Sequence, residues 1–174
     1  MTTTHAIDPG TAARLLRNGM ALLHAELDAA PAALLTFHPA PGEWCAQEVV
    51  GHLIEAERRG FAGRIAIILG ADTPSLESWD QNEVARARRD CERDARALLA
   101  ELSAMRERSA ALVDGLRPAD LGRAGQHPTV GLLRVGDLLH EWVHHDRNHI
   151  KQILANIQAY VWPHMGNAQR FSAE

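Results

Sequence analysis

The sequence predicts an all-α fold, a four-helix bundle, on three observations. Four long stretches space their apolar residues three and four apart, the period of an amphipathic helix. The 174-residue chain is 46% hydrophobic but only 5% aromatic and is rich in Ala and Leu, a composition that suits helices. No stretch alternates apolar and polar residues as a half-buried strand does, and there is no internal repeat, low-complexity segment or linker. Amphipathic helices of this length bury their stripes best against one another. The expected organisation is one domain over residues 1–174.

Asp8-Pro9 caps and opens the first helix, in which Leu15, Leu16, Leu22, Leu23 and Leu27 recur at helical spacing. Ala29-Ala30-Pro31 closes it, and residues 31–43, with Pro39 and Pro41-Gly42, form a connection. The second helix runs from Trp44-Cys45 to about Leu69. Cys45 is a poor N-cap, but Glu48 is placed to bond back to the helix start. Val49, Val50, Leu53, Ile54, Phe61, Ile65 and Ile68 make its apolar face, with His52 just off one edge. Glu57 lies near the centre of that face and needs a partner, for which Arg64, two turns on, is the candidate, a supporting role beside a ligand being the alternative. Gly70 to Asp80 is a loop. A third helical stretch extends from Asn82 to Leu116, mixed in charge at first, with Leu98, Leu99, Leu102, Met105, Leu112 and Val113 as its seam. Residues 117–131 form a second long connection, and the fourth helix runs from about Val135 to Tyr160.

Charge and composition narrow the partners. A net charge of −4 and a pI near 6.2 give no electrostatic footprint for nucleic acid. No apolar run approaches the length of a membrane span, and MTTTHAIDPG has no signal-peptide pattern. Two cysteines without C-x-x-C spacing make no disulfide framework, and Cys45 reads as a packing residue. The expected setting is cytoplasmic and the expected partner a small-molecule substrate.

The fourth helix carries the chemistry. HEWVHHDRNHIKQI, His140 to Ile153, holds four of the ten histidines. His140 and His144 fall on the solvated face. His145 and His149, four residues apart, share one edge of the apolar arc, so two imidazoles can reach one cation. Read alone, such a pair more often marks two histidines that merely border a core than a metal site. His52 on the second helix can complete the set, because bundle interiors are where facing helices build metal sites. Three neutral imidazoles suit a divalent cation with open positions, zinc or nickel first and iron as a further option. Asp146, in the middle of the arc, either orients a ligand imidazole or pairs with a buried arginine. Glu57, Gln152 and His127 are the remaining candidates for supporting roles: Gln152 as a neighbour of a ligand or a surface glutamine, and His127 as a cap over the site or a solvated loop residue.

GEWCAQEVVGHLIEAERR resembles the second-helix signature of the DinB-like superfamily, and HPTVGLLRVGDLLHEWVHHDRNHIKQI is similar to its fourth-helix signature, with the His-Asp-x-x-His-x-x-Gln core. Cys45 departs from the usual Ser. The resemblance implies a four-helix bundle with a metal held by three histidines, which by position are His52, His145 and His149. It also implies a homodimer. Activities in that family include transfer dependent on a low-molecular-weight thiol, where a coordinated thiol loses its proton and becomes a nucleophile. Other members are described as metal-dependent hydrolases. The leading expectation is a thiol-dependent transferase. The alternatives are a hydrolase in which the metal activates water, or a non-enzymatic, stress-linked metal-binding bundle.

Overall fold

Asp8 starts the first helix as the sequence predicts. Its Oδ1 accepts the Thr11 N–H at 2.8 Å, and Pro9 sits in the first turn, where a missing N–H costs nothing. In the computed structural model, which describes residues 6–172, α1 is Pro9–Leu27. Residues 1–5 and 173–174, which belong to the expected domain, lie outside the described residues. Leu16, Met20, Leu23 and Leu27 are buried, while Leu22 is exposed. Leu22 lies about 120° round the helix from Leu16, outside the stripe. The expected connection at 31–43 contains a short helix, α2 (Ala32–Leu35), which buries Leu34 and Leu35.

The second long helix is continuous but not uniform. It comprises α3 (Ala46–Glu55), a π-helical segment (Ala56–Phe61) and α4 (Ala62–Gly70). Trp44 precedes it, and Glu48 Oε2 accepts the Cys45 N–H at 2.9 Å, the return bond expected from the sequence. In the π segment the Ala62 N–H reaches Glu57 O, five residues back. A Cβ at position 63 would collide with Arg58 O, so Gly63 is what lets the wide turn close. The extra residue turns everything after it by about 100°. That is why Arg64 does not meet Glu57, as the helical count suggests. Glu57 instead bonds Arg106 at 2.9 Å.

The third stretch is two helices rather than one. α5 (Gln81–Arg88) ends at Arg89, whose φ of 51° is left-handed, and a 3₁₀ turn at Asp90–Glu92 leads to α6 (Ala95–Asp114). Asp80 caps α5 and Asp94 caps α6, each accepting backbone N–H bonds. The turn lies on α3. Gln47 Nε2 donates to Asp90 O and Arg93 O, both at 2.8 Å, and a side chain on Gly51 would strike Asp90. This docking brings Cys91 to Cys45, 46 residues away in sequence, and the two form a disulfide. The expectation of unpaired cysteines fails here, because their proximity depends on a long-range contact that spacing does not reveal. The cysteines therefore lend no support to the expected cytoplasmic setting.

The second connection holds a hairpin that the sequence reading does not anticipate. β1 (Ala124–His127) pairs antiparallel with β2 (Gly131–Arg134), from Ala124 opposite Arg134 to His127 opposite Gly131. Strands of four residues are too short to display an alternation. α7 (Val135–Val161) follows directly and matches the expected fourth helix; Leu154 and Val161, which by helical count share the apolar arc of Leu138, Trp142, Ile150 and Ile153, are exposed.

Four helical rods, α1, α3–α4, α6 and α7, pack as a bundle. Its interior has two apolar clusters. One contains Leu16, Ile65, Val113, Leu138 and Trp142, and the other Leu23, Leu53, Leu98, Leu102 and Ile153. Between them lies a charged layer of Glu57, Arg106 and Asp146, each at most 3% exposed. Arg106 pairs with both carboxylates and donates to Leu16 O at 3.1 Å, so one guanidinium ties α1, α6, α7 and the π segment together. Among the described residues, no helix is long and apolar enough to cross a membrane.

Candidate metal centre

His52, on the last turns of α3, faces His145 and His149 on α7. The Nε2 atoms of His52 and His145 are 3.0 Å apart. Ring centroids are 4.5 Å apart for His52 and His149 and 4.4 Å for His145 and His149. One nitrogen from each ring lies within 4.8 Å of the others. Two nitrogens at about 2.0–2.1 Å from a common ion lie roughly 2.9–3.4 Å apart, so the His52–His145 spacing suits a shared cation.

The protonation states also suit one. Burial first, and then the neighbouring histidines, push the His52 and His145 imidazoles down to about 3. Burial also lowers His149, against the opposing effects of its hydrogen bond to Gln152 and the charge of Asp146. All three rings are therefore neutral near pH 7, the form that binds metal. Gln152 Oε1 lies 2.9 Å from His149 Nδ1, which places a proton on Nδ1 and leaves the Nε2 lone pair free. Among the described residues, the Nδ1 atoms of His52 and His145 are buried without a partner. Two neutral rings whose Nε2 atoms meet across 3.0 Å, and whose other nitrogens bond nothing, fit a cation between them.

The surroundings are aromatic. Trp44 and Trp79 lie against His52 at 4.9 and 5.9 Å between centroids, and Phe61 meets His145 edge-on at 5.1 Å. Asn156 donates to Trp44 O at 2.9 Å and fastens that segment to α7. On one side the centre opens into a cavity of about 560 Å³, lined by His52, His145, Phe61, Arg64, Trp79 and His127, with Asp137 and Glu141 also on its wall.

The supporting candidates divide. Gln152 touches His149. Asp146 takes the arginine alternative: it bonds Arg106 and no histidine nitrogen. Glu57 belongs to the same charged layer and does not reach the centre directly. His127 is buried on β1 and faces the cavity, so its solvated-loop alternative fails. Its Nε2 is 3.0 Å from Arg64 Nη2. His140 and His144 are exposed, as expected. Sequence reasoning missed Arg106, Trp79 and Glu141. For Arg106 a signal existed, since it continues the seam of Leu98, Leu99 and Leu102 at helical spacing. Trp79 is a loop aromatic whose position nothing local fixes.

A helical bundle with three converging imidazoles beside an open cavity defines a class of metal-centre bundle proteins. The chain belongs to the DinB superfamily, whose family model matches residues 14–153. A protein of Bacillus licheniformis named "putative metal-dependent hydrolase" is 30% identical over 127 residues, 70% of this chain and 69% of its own length. A protein of Oceanobacillus iheyensis with the same descriptive name is 22% identical over 121 residues, 70% of this chain and 69% of its own length. The structure of YfiT from Bacillus subtilis, described as a probable metal-dependent hydrolase with an unusual four-helix bundle topology, superposes with a TM-score of 0.82 at 21% identity. That match covers 93% of this chain and 94% of YfiT.

Proposed function

We propose that this protein is a metal-dependent enzyme acting on small molecules, with hydrolysis as its first reading, and that His52, His145 and His149 hold its divalent cation. The observation that carries the proposal is the cavity of about 560 Å³ that opens at two of the three histidines. A cation there supplies Lewis-acid activation, lowering the pKa of a coordinated water or thiol. Gln152 holds His149 in the ligating tautomer. Phe61 and Trp79 give the cavity an apolar wall against His145 and His52. Arg64, whose buried Nε has no partner among the described residues, faces the cavity and suits an anionic group on the substrate. Of the two carboxylates on the cavity wall, Asp137 and Glu141, the second lies one turn before His145 and is the candidate to take a proton from the nucleophile.

The relatives' names support hydrolysis. Cavity size and Arg64 favour a second reading, transfer dependent on a low-molecular-weight thiol, since there is room for two reactants and a cation to meet a thiol's carboxylate. Both readings are tested by loading purified protein with zinc, nickel or iron. It is then incubated with ester and amide panels, and with electrophiles plus glutathione, bacillithiol or mycothiol. Turnover without thiol supports hydrolysis, and turnover only with thiol supports transfer. Metal bound at the histidines with neither activity favours the non-enzymatic bundle and contradicts the proposal.

A further inference from the structure

A second cluster of metal-ligating side chains lies at the start of α3, and shares no residue with the three histidines. His38, Cys45, Glu48 and Cys91 each place one donor atom within 4.8 Å of the others. We propose that these residues form a second cation site, a thiolate site for zinc-class ions, which the Cys45–Cys91 disulfide closes and its reduction opens.

Four observations carry this. First, the donors are of the right kind: two thiolates, an imidazole and a carboxylate are a tetrahedral zinc set. Second, His38 is oriented for it. Its Nδ1 lies 2.7 Å from Glu43 O, so Nδ1–H donates to that carbonyl and the Nε2 lone pair is directed toward Cys91 Sγ at 3.5 Å. Third, the two cysteines are held together by contacts other than their own bond. Gln47 pins the Asp90–Glu92 turn from both sides, and that turn carries Cys91. The sulfurs therefore stay close when the disulfide is opened. The Cα atoms are 7.0 Å apart, which accommodates two thiolates about 3.7 Å apart on an ion with Zn–S of about 2.3 Å. Fourth, the site has one open edge. Cys45 is fully buried, while the side chains of His38 and Glu48 are 48% and 21% exposed, so an ion can enter from solvent. Cys45 also occupies the N-cap of α3, where the helix dipole favours a thiolate.

The two states exchange by balanced chemistry. The disulfide takes two electrons and two protons from two equivalents of a monothiol, which leave as its own disulfide. The ion then displaces both cysteine protons to solvent as it binds. Disulfide and bound ion exclude each other, since the sulfurs cannot be bonded to one another and also be thiolate ligands.

Cobalt(II) is the probe, because thiolate ligands give it a near-ultraviolet charge-transfer band that imidazoles do not. Oxidised full-length protein should bind cobalt without that band. After anaerobic reduction and removal of the reductant, the same protein should take up one further equivalent and show the band. Cys91→Ser, reduced, should lose the further equivalent, and His38→Ala should weaken it at least tenfold. His149→Ala should keep the band, so failure of the three-histidine reading would leave this proposal standing. Reduced wild type that binds no more cobalt than oxidised protein, or that shows no thiolate band, overturns the proposal. So does loss of the band in His149→Ala, which would assign the sulfurs to the first centre. Far-ultraviolet circular dichroism equal to wild type confirms that each variant is folded.

Discussion

Arg106→Met is the perturbation that tests the buried charged layer most severely. Arg106 is 1% exposed and neutralises Glu57 and Asp146, which are 0% and 3% exposed. Burial opposes its charge, but Asp146 and Glu57 more than offset this and hold the guanidinium above its ordinary pKa. Methionine fills much of the volume but leaves two buried carboxylates without a cation. Breaking a buried pair in this way costs about 3–5 kcal/mol, which for a chain of this size lowers Tm by roughly 6–20 °C. The loss should depend on pH. Burial already raises Glu57 above the usual carboxylate range, and removal of Arg106 raises it further. A carboxyl whose folded pKa lies above its unfolded value stabilises the fold below the unfolded pKa and loses that contribution as pH rises through the folded one. The gap to wild type should therefore be wider at pH 8 than at pH 5. Thermal melts by circular dichroism at both pH values measure it. Glu57→Leu, Arg106→Met and Asp146→Leu combined should recover most of the loss, since no charge is left buried. A fall of less than about 1 kcal/mol in Arg106→Met, well under the cost of one broken buried pair, would refute the assignment of this layer.

The metal-free protein should lose stability as pH falls from 6.5 toward 3, because His52 and His145 are held down to about 3 while the unfolded chain protonates near 6.5. Their folded pKa values are depressed, so the stability they confer is present above 6.5 and absent below about 3. At pH 5 the loss is about 2 kcal/mol per histidine, treated as independent groups. Urea melts that agree at pH 7 and pH 5 would rule this out. Arg64→Met should raise KM for anionic substrates at least tenfold with less change for neutral ones, read from steady-state kinetics. Equal effects on both would remove Arg64 from substrate binding. The family resemblance leads us to expect a homodimer at micromolar concentration, and light scattering at the monomer mass of 19.1 kDa would contradict it.

The long helices were legible because their stripes are long: α1 and α7 follow from Asp8-Pro9 and from the spacing of Leu138, Trp142, Ile150 and Ile153. The three histidines were legible for a related reason. Two share a helix edge at i and i+4, and the third sits beside the apolar stripe of another helix. What escaped depends on contacts between distant segments or on local departures from the helical period. The π turn at Ala56–Phe61 shifts the phase of α4 and sends Arg64 to the cavity instead of to Glu57. The break at Arg89 lies in a charged string without Gly or Pro, and only Asp80 and Asp94 hinted at separate caps. Choosing between the two roles open to Asp146 required knowing that Arg106 faces it from α6. The Cys45–Cys91 pair required the docking of a turn on Gly51.

The central claim is that His52, His145 and His149 hold one divalent cation. The direct measurement is metal content by mass spectrometry of oxidised wild type, His149→Ala and His144→Ala after identical loading with zinc and removal of excess. His149 is one of the converging rings, whereas His144 is exposed and its ring lies against Asn148 instead of joining the three. Wild type and His144→Ala should each hold one equivalent, and His149→Ala a strongly reduced content. Equal content in wild type and His149→Ala, or equal losses in the two variants, would contradict it.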